Sequence, residues 1–132
     1  MKENKYSRLD YVYICLMTIL TIIYLFPGSL IGFIFMNDLG SQPILIENPY
    51  GSSINHSIAF MLITIFGLIK RNKKIFINRI IFISLFSLIL ELSHFLIPQR
   101  SFEIIDVFSN LFGIIISIAI ILVLRKWRKI GR

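Results

Sequence analysis

The chain has 132 residues, of which 56% are hydrophobic and 16% charged. A soluble domain this small buries too little surface to hide so much Ile, Leu and Phe. The mean hydropathy of +0.80 agrees, so composition argues against a soluble enzyme or a disordered tail, and the lone Cys15 argues against a disulfide scaffold. The net charge of +7 is not a nucleic-acid signature, because the basic residues alternate with apolar runs instead of forming one face.

Lys2, Lys5 and Arg8 precede the first apolar run, 11–26. No small-residue cleavage site follows Phe26 before apolar sequence resumes, so the run reads as an uncleaved helix. Pro27-Gly28 either kinks that helix, which then extends to 36, or ends it and leaves 29–36 as an interfacial or re-entrant piece. The segment 37–53 holds Asp38 and Glu47 and no Lys or Arg.

The second span, 52–69, is short against the roughly 20 residues that a core of about 30 Å requires. It recruits Ser52 and Ser53 and carries His56 inside its outer end. Lys70, Arg71, Lys73, Lys74 and Arg79 follow, and then the third span, 77–97. A short connection containing Pro98 and Arg100 leads to the fourth span, 104–124, and to Arg125, Lys126, Arg128, Lys129 and Arg132. Only Arg100 lies outside these three basic clusters. The expected fold is therefore all-α: a single domain, 1–132, of four transmembrane helices with both termini cytoplasmic, as the positive-inside rule requires.

Polar residues inside such spans are costly and point to function. At 1.5 Å per residue, Glu91 and Asn110 lie at similar depth, each about 9 Å from the outer ends of their spans. His94, Asp106 and His56 lie closer to the same surface. Ser84, Ser87, Glu91 and His94 form one stripe on the third span, and Asp106, Asn110, Gly113 and Ser117 form another on the fourth. The short connection favours antiparallel neighbours, so the two stripes are expected to face each other, with Arg100 placed to pair with Glu91 or Asp106. Gly113 and Ser117 make a small-xxx-small pair that permits close helix approach.

The candidate acid–base groups are Glu91, His94 and His56, and the candidate binding residues are Arg100, Asp106, Asn110 and Glu91. A carboxylate with a neighbouring imidazole can exchange protons, and a guanidinium suits a phosphate group. His56, His94, Glu91 and Asp106 supply metal-type donors without a metal-specific spacing, so neither a metal nor another cofactor is expected.

The stretch from Glu91 to Gly113, ELSHFLIPQRSFEIIDVFSNLFG, resembles the VanZ-like family. Its Glu, Pro-x-Arg, Asp, Asn and Gly correspond to Glu91, Pro98 with Arg100, Asp106, Asn110 and Gly113. His56 fits the last position of the family's Asp-Lys-x-x-His, although Ser52 and Ser53 replace the Asp-Lys pair. His94 stands where Gln is usual, and Ser117 stands where Gly is frequent. The resemblance implies a multi-pass protein of the bacterial cytoplasmic (inner) membrane, linked to the cell envelope and to teicoplanin-type glycopeptide resistance. The expected partners are membrane lipids or lipid-linked envelope molecules, with no nucleic acid. A homo-oligomer or an envelope-biosynthesis partner is compatible with this reading. The leading function is an outward polar site for a lipid headgroup, a lipid-linked precursor or a lipoglycopeptide. The alternative is a membrane enzyme acting on a lipid-anchored envelope substrate.

Overall fold

In the computed structural model the described residues are 7–41, 51, 53–69 and 72–130, the last three by their backbone. Lys2, Lys5, Glu47, Ser52, Lys70, Arg71 and Arg132 lie outside them, as do the side chains of Arg128 and Lys129.

Helix α1 spans Arg8–Leu25. At its start the Ser7 backbone N–H and hydroxyl both donate to Asp10 Oδ2, at 2.8 and 2.9 Å, which satisfies groups the helix ladder leaves open. The helix ends because Phe26, the residue before Pro27, is extended, and Gly28 follows at φ +69°. A separate helix α2, Leu30–Met36, comes next, with Ser29 Oγ accepting from the Gly32 N–H at 2.9 Å. Of the two outcomes open at Pro27-Gly28, the first helix stops.

The chain after α2 folds back over its beginning, and the Ser29 N–H donates to Leu39 O at 2.7 Å. Glycine is required there. A Cβ on Gly28 would stand 2.6 Å from Leu39 O, and one on Gly32 would stand 1.7 Å from Ser41 O.

Helix α3 spans Ser53–Leu68, helix α4 spans Lys73–Ser93, and helix α5 spans Ile104–Ile130. Helix α5 runs six residues past the expected end at 124, and α4 differs from the sequence expectation at both ends. Helix α4 starts four residues earlier than 77, because Asn72 Oδ1 accepts from the Ile75 N–H at 2.9 Å and caps it. It also stops at Ser93 and tightens into a 3-10 turn over His94–Leu96. Ile97 is extended, as a residue before proline tends to be.

Helices α3 and α5 form the most extensive helix pair. A Cβ on Gly113 would lie 2.2 Å from Ser57 O, so the two backbones touch there. Ser57 Oγ donates to Ser109 O at 2.8 Å, and Ser117 Oγ donates to Met61 O at 2.9 Å. The small-residue stripe of the fourth span therefore faces α3, not α4. The physical reason is that only a bare α-carbon admits a neighbouring backbone, and α3 presents Ser57 at that height. Tyr13, Met17, Leu20 and Tyr24 of α1 close over Phe60, Ile63, Ile83, Leu90 and Ile114 to complete the core.

Among the described residues, three helical stretches are long and apolar enough to cross a membrane, Arg8–Leu25, Lys73–Leu96 and Ile104–Trp127, the pattern of a multi-pass membrane protein. Helix α3 is apolar but has only 16 residues. Large apolar side chains such as Ile89, Phe112 and Ile115 lie on the outside of the bundle, where a soluble protein would place polar ones.

One end of the bundle is fastened by arginines. Arg79 donates to Asp10 Oδ1 and to Gly67 O, the latter at 2.8 Å, and its guanidinium lies 4.6 Å from the centre of the Tyr13 ring. Arg125 donates to Leu68 O at 3.0 Å and covers the Phe76 ring at 4.3 Å. Arg79, read from sequence as lying at the end of a span, thus works from inside α4.

Candidate functional site

The opposite end gathers the polar residues of all four long helices. Glu91 from α4, Asp106 and Asn110 from α5, His56 from α3 and His94 from the 3-10 turn are all buried. The depth argument from sequence therefore places these five together. Tyr24 from α1 joins them, 5% exposed, and it occupies the middle of the cluster.

The Tyr24 hydroxyl donates to Asn110 Oδ1 at 3.1 Å and lies 2.6 Å from His56 Nδ1. Its ring stacks on His94 at 5.5 Å and meets the His56 ring edge-on at 5.1 Å. Sequence reasoning missed this residue. Its signal was the spacing of Tyr13, Met17, Leu20 and Tyr24, 4, 3 and 4, which puts a phenol on the inward stripe of α1.

A hydroxyl has one proton. Given to Asn110 Oδ1, it leaves the phenol oxygen to accept from His56 Nδ1–H. His56 Nε2 then carries its lone pair, and it faces Asp106 Oδ2 at 3.6 Å. The other oxygen of Asp106, Oδ1, accepts from Ser53 Oγ at 2.5 Å. Glu91 is fully buried. Its Oε1 accepts from His94 Nδ1 at 3.0 Å and from the Glu103 N–H at 3.5 Å. Its Oε2 lies 4.0 Å from His56 Nδ1 and has no hydrogen-bond partner among the described residues.

Arg100 differs from its sequence expectation. It forms no hydrogen bond or ion pair with Glu91 or Asp106 among the described residues. Its Nη2 donates to Ile23 O at 2.9 Å and its Nε to Phe26 O at 3.3 Å. The guanidinium therefore caps the carbonyl end of α1, where a cation is favoured and acceptors lie open. Those carbonyls face outward because Pro27 stops the helix, and this brings them within reach of the connection after α4.

Two cavities meet at this end. The larger, about 280 Å³, is walled by apolar side chains of α1, α2 and α3, among them Leu20, Ile31, Ala59 and Leu62. The smaller, about 90 Å³, is polar and is bordered by His94, Gln99, Glu103 and Asp106. Ser29, His56 and Arg100 line both. The arrangement sets an apolar cavity beside a polar one, with His56, His94, Glu103 and Asp106 bordering the polar side. Comparisons with known proteins return no matching family model, no matching curated protein and no matching solved structure.

Proposed function

We propose that the protein is a VanZ-like, four-span protein of the bacterial cytoplasmic membrane whose outward end binds the head and the upper chain of a lipid or lipid-linked envelope molecule. In this reading α1, α3, α4 and α5 each cross the bilayer with both termini cytoplasmic. The sixteen residues of α3 give about 24 Å of helix, so the bilayer thins or the flanking residues extend that span. The clusters Lys73–Arg79 and Arg125–Lys126 then lie inside, and Asp38 and Arg100 lie outside, as positive-inside sorting favours for the clusters.

The observation that carries the reading is the junction of an apolar cavity with a polar one through Ser29, His56 and Arg100. A lipid has that same division along its length. Arg100 suits a phosphate oxygen, because Nη1 makes no hydrogen bond among the described residues while Nε and Nη2 hold the guanidinium in place. A contribution to teicoplanin-type resistance would follow from occupying or altering such a molecule.

Native mass spectrometry of the detergent-extracted protein tests this. A tightly held lipid should accompany the wild-type chain and be lost in Ala59→Phe, which adds a ring inside the apolar cavity. Equal lipid occupancy in both folded proteins would remove the reading. The alternative of a membrane enzyme draws support from the unpartnered Glu91 Oε2 beside two imidazoles. It expects Glu91→Gln to keep lipid binding but lose any conversion of extracted envelope lipids, followed by mass spectrometry.

A further inference from the structure

We infer that His56, Glu91 and Asp106 form a binding site for a divalent first-row metal ion such as Zn²⁺. The proposal reverses the expectation from sequence, in which these donors lack a metal-specific spacing. Folding removes that objection. One ligating atom from each of the three residues lies within 4.8 Å of the others, and all three residues are buried.

The strongest argument is how the second atom of each residue is employed. His56 Nδ1 is held by Tyr24, Glu91 Oε1 by His94, and Asp106 Oδ1 by Ser53. Metal ligands are commonly fixed in this way, with an outer partner on the far atom that orients the near one. The atoms left over are then His56 Nε2 and Asp106 Oδ2, which face each other, and Glu91 Oε2, which lies 4.0 Å from Nδ1 of the same imidazole. All three are acceptors, with the His56 proton on Nδ1. Nε2 and Oδ2 are 3.6 Å apart with no donor between them. Two atoms bound at about 2.1 Å to one tetrahedral ion stand about 3.4 Å apart.

Glu91 Oε2 supplies an independent sign. It is a buried carboxylate oxygen without a hydrogen-bond partner among the described residues, on a side chain with no exposed surface. Buried charges are ordinarily paired or bound to metal. The nearest arginine, Arg100, is engaged with the carbonyls of α1. One imidazole and two carboxylates suit Zn²⁺ or its neighbours better than Ca²⁺ or Cu⁺, which prefer all-oxygen and sulfur donors respectively. Three protein ligands leave a coordination position free. His56 and Asp106 border the polar cavity, so that position would be reached from there.

The site does not depend on what fills the apolar cavity. The test is metal content by elemental mass spectrometry on the full chain, purified in detergent without a polyhistidine tag and equilibrated with Zn²⁺. One ion per chain is expected. Co²⁺ in its place should give visible d–d absorption, and X-ray absorption should show N and O donors at about 2.0–2.2 Å. His56→Ala, Glu91→Gln and Asp106→Asn should each lose stoichiometric binding. Ala59→Phe, which lies outside the donor set, should keep it. A wild-type chain that holds no stoichiometric metal overturns the proposal without reference to any variant. Undiminished binding in Glu91→Gln and Asp106→Asn overturns it as well. Metal kept but lipid lost in Ala59→Phe separates this site from the lipid reading.

Discussion

The two ends of the bundle solve the same problem in opposite ways. At one end Asp10 and Arg79 pair, Ser7 adds to Asp10, and Gly67 and the Tyr13 ring add to Arg79. At the other end two carboxylates and two imidazoles are buried, but Glu91 Oε2 and His94 Nε2 lack hydrogen-bond partners among the described residues, and two cavities open beside them. The first arrangement holds helices together. The second keeps donors and acceptors in reserve, which a purely structural network would not do, because an unsatisfied buried polar group costs about 1–3 kcal/mol. Unsatisfied hydroxyls do not mark a site, since Tyr13 and Thr64 also carry one; what sets the polar end apart is an ionisable oxygen and an imidazole nitrogen left open.

Charge removal at each end puts that contrast to the test. Arg79→Ala should give the largest effect, a loss of about 3–4 kcal/mol, because it strands Asp10 and deletes the contacts to Gly67 and Tyr13. Denaturant unfolding followed by helix content in detergent measures it. A loss below about 1 kcal/mol, the range of an exposed pair, would erase the distinction between the ends.

Gly113→Ala comes next. The added methyl meets Ser57 O and forces α3 from α5, at about 2 kcal/mol in the same assay. Because Asp106 and Ser53 sit on the same pair of helices, the variant should also loosen the polar end, seen as faster amide exchange around Ser53. Unchanged exchange there would mean that the two ends are mechanically independent.

Glu91→Gln in metal-stripped protein should have a small effect of opposite sign, from no change to a gain of about 1 kcal/mol. It replaces an incompletely satisfied buried acid with a neutral amide. A loss comparable to that of Arg79→Ala would make Glu91 a structural residue.

The smallest effect concerns Asp38, outside the helices. The Ser41 hydroxyl and the Gly40 N–H donate to its carboxylate and hold its pKa below the ordinary 3.8. A folded value depressed in this way adds stability that is full above the unfolded value and is lost as pH falls through the folded one. An NMR titration of the Gly40 amide should therefore report a midpoint below 3.8, and Ser41→Ala should move it upward.

Much of this was legible in the sequence. Hydropathy located the long helices to within a few residues, and counting residues from their ends placed Glu91, His94, Asp106, Asn110 and His56 at one level. What counting could not supply was partnership. Gly113 and Ser117 announce a close approach but not which helix approaches, and the shortness of the connection after α4 suggested the wrong one. Arg100 was expected to seek the acids, yet the open carbonyls of Ile23 and Phe26 compete for it, and those exist only because α1 stops at Pro27. Tyr24 escaped notice because a tyrosine in an apolar run is read as hydrophobic until its hydroxyl is seen to bridge two helices.

Helix α2 works like a float on a hinge. Ile34, Phe35 and Met36 project outward, 63%, 79% and 57% exposed, while Leu30 and Ile31 at the other end of the same two turns wall the apolar cavity. The hinge is stiff, since Gly28 is pressed against Leu39 and Gly32 against Ser41. Whatever surface takes up Phe35 and its neighbours therefore bears on Leu30 and Ile31, and through them on one wall of the apolar cavity; in the proposed lipid reading, this seven-residue helix sets how far the lipid rises to reach Arg100.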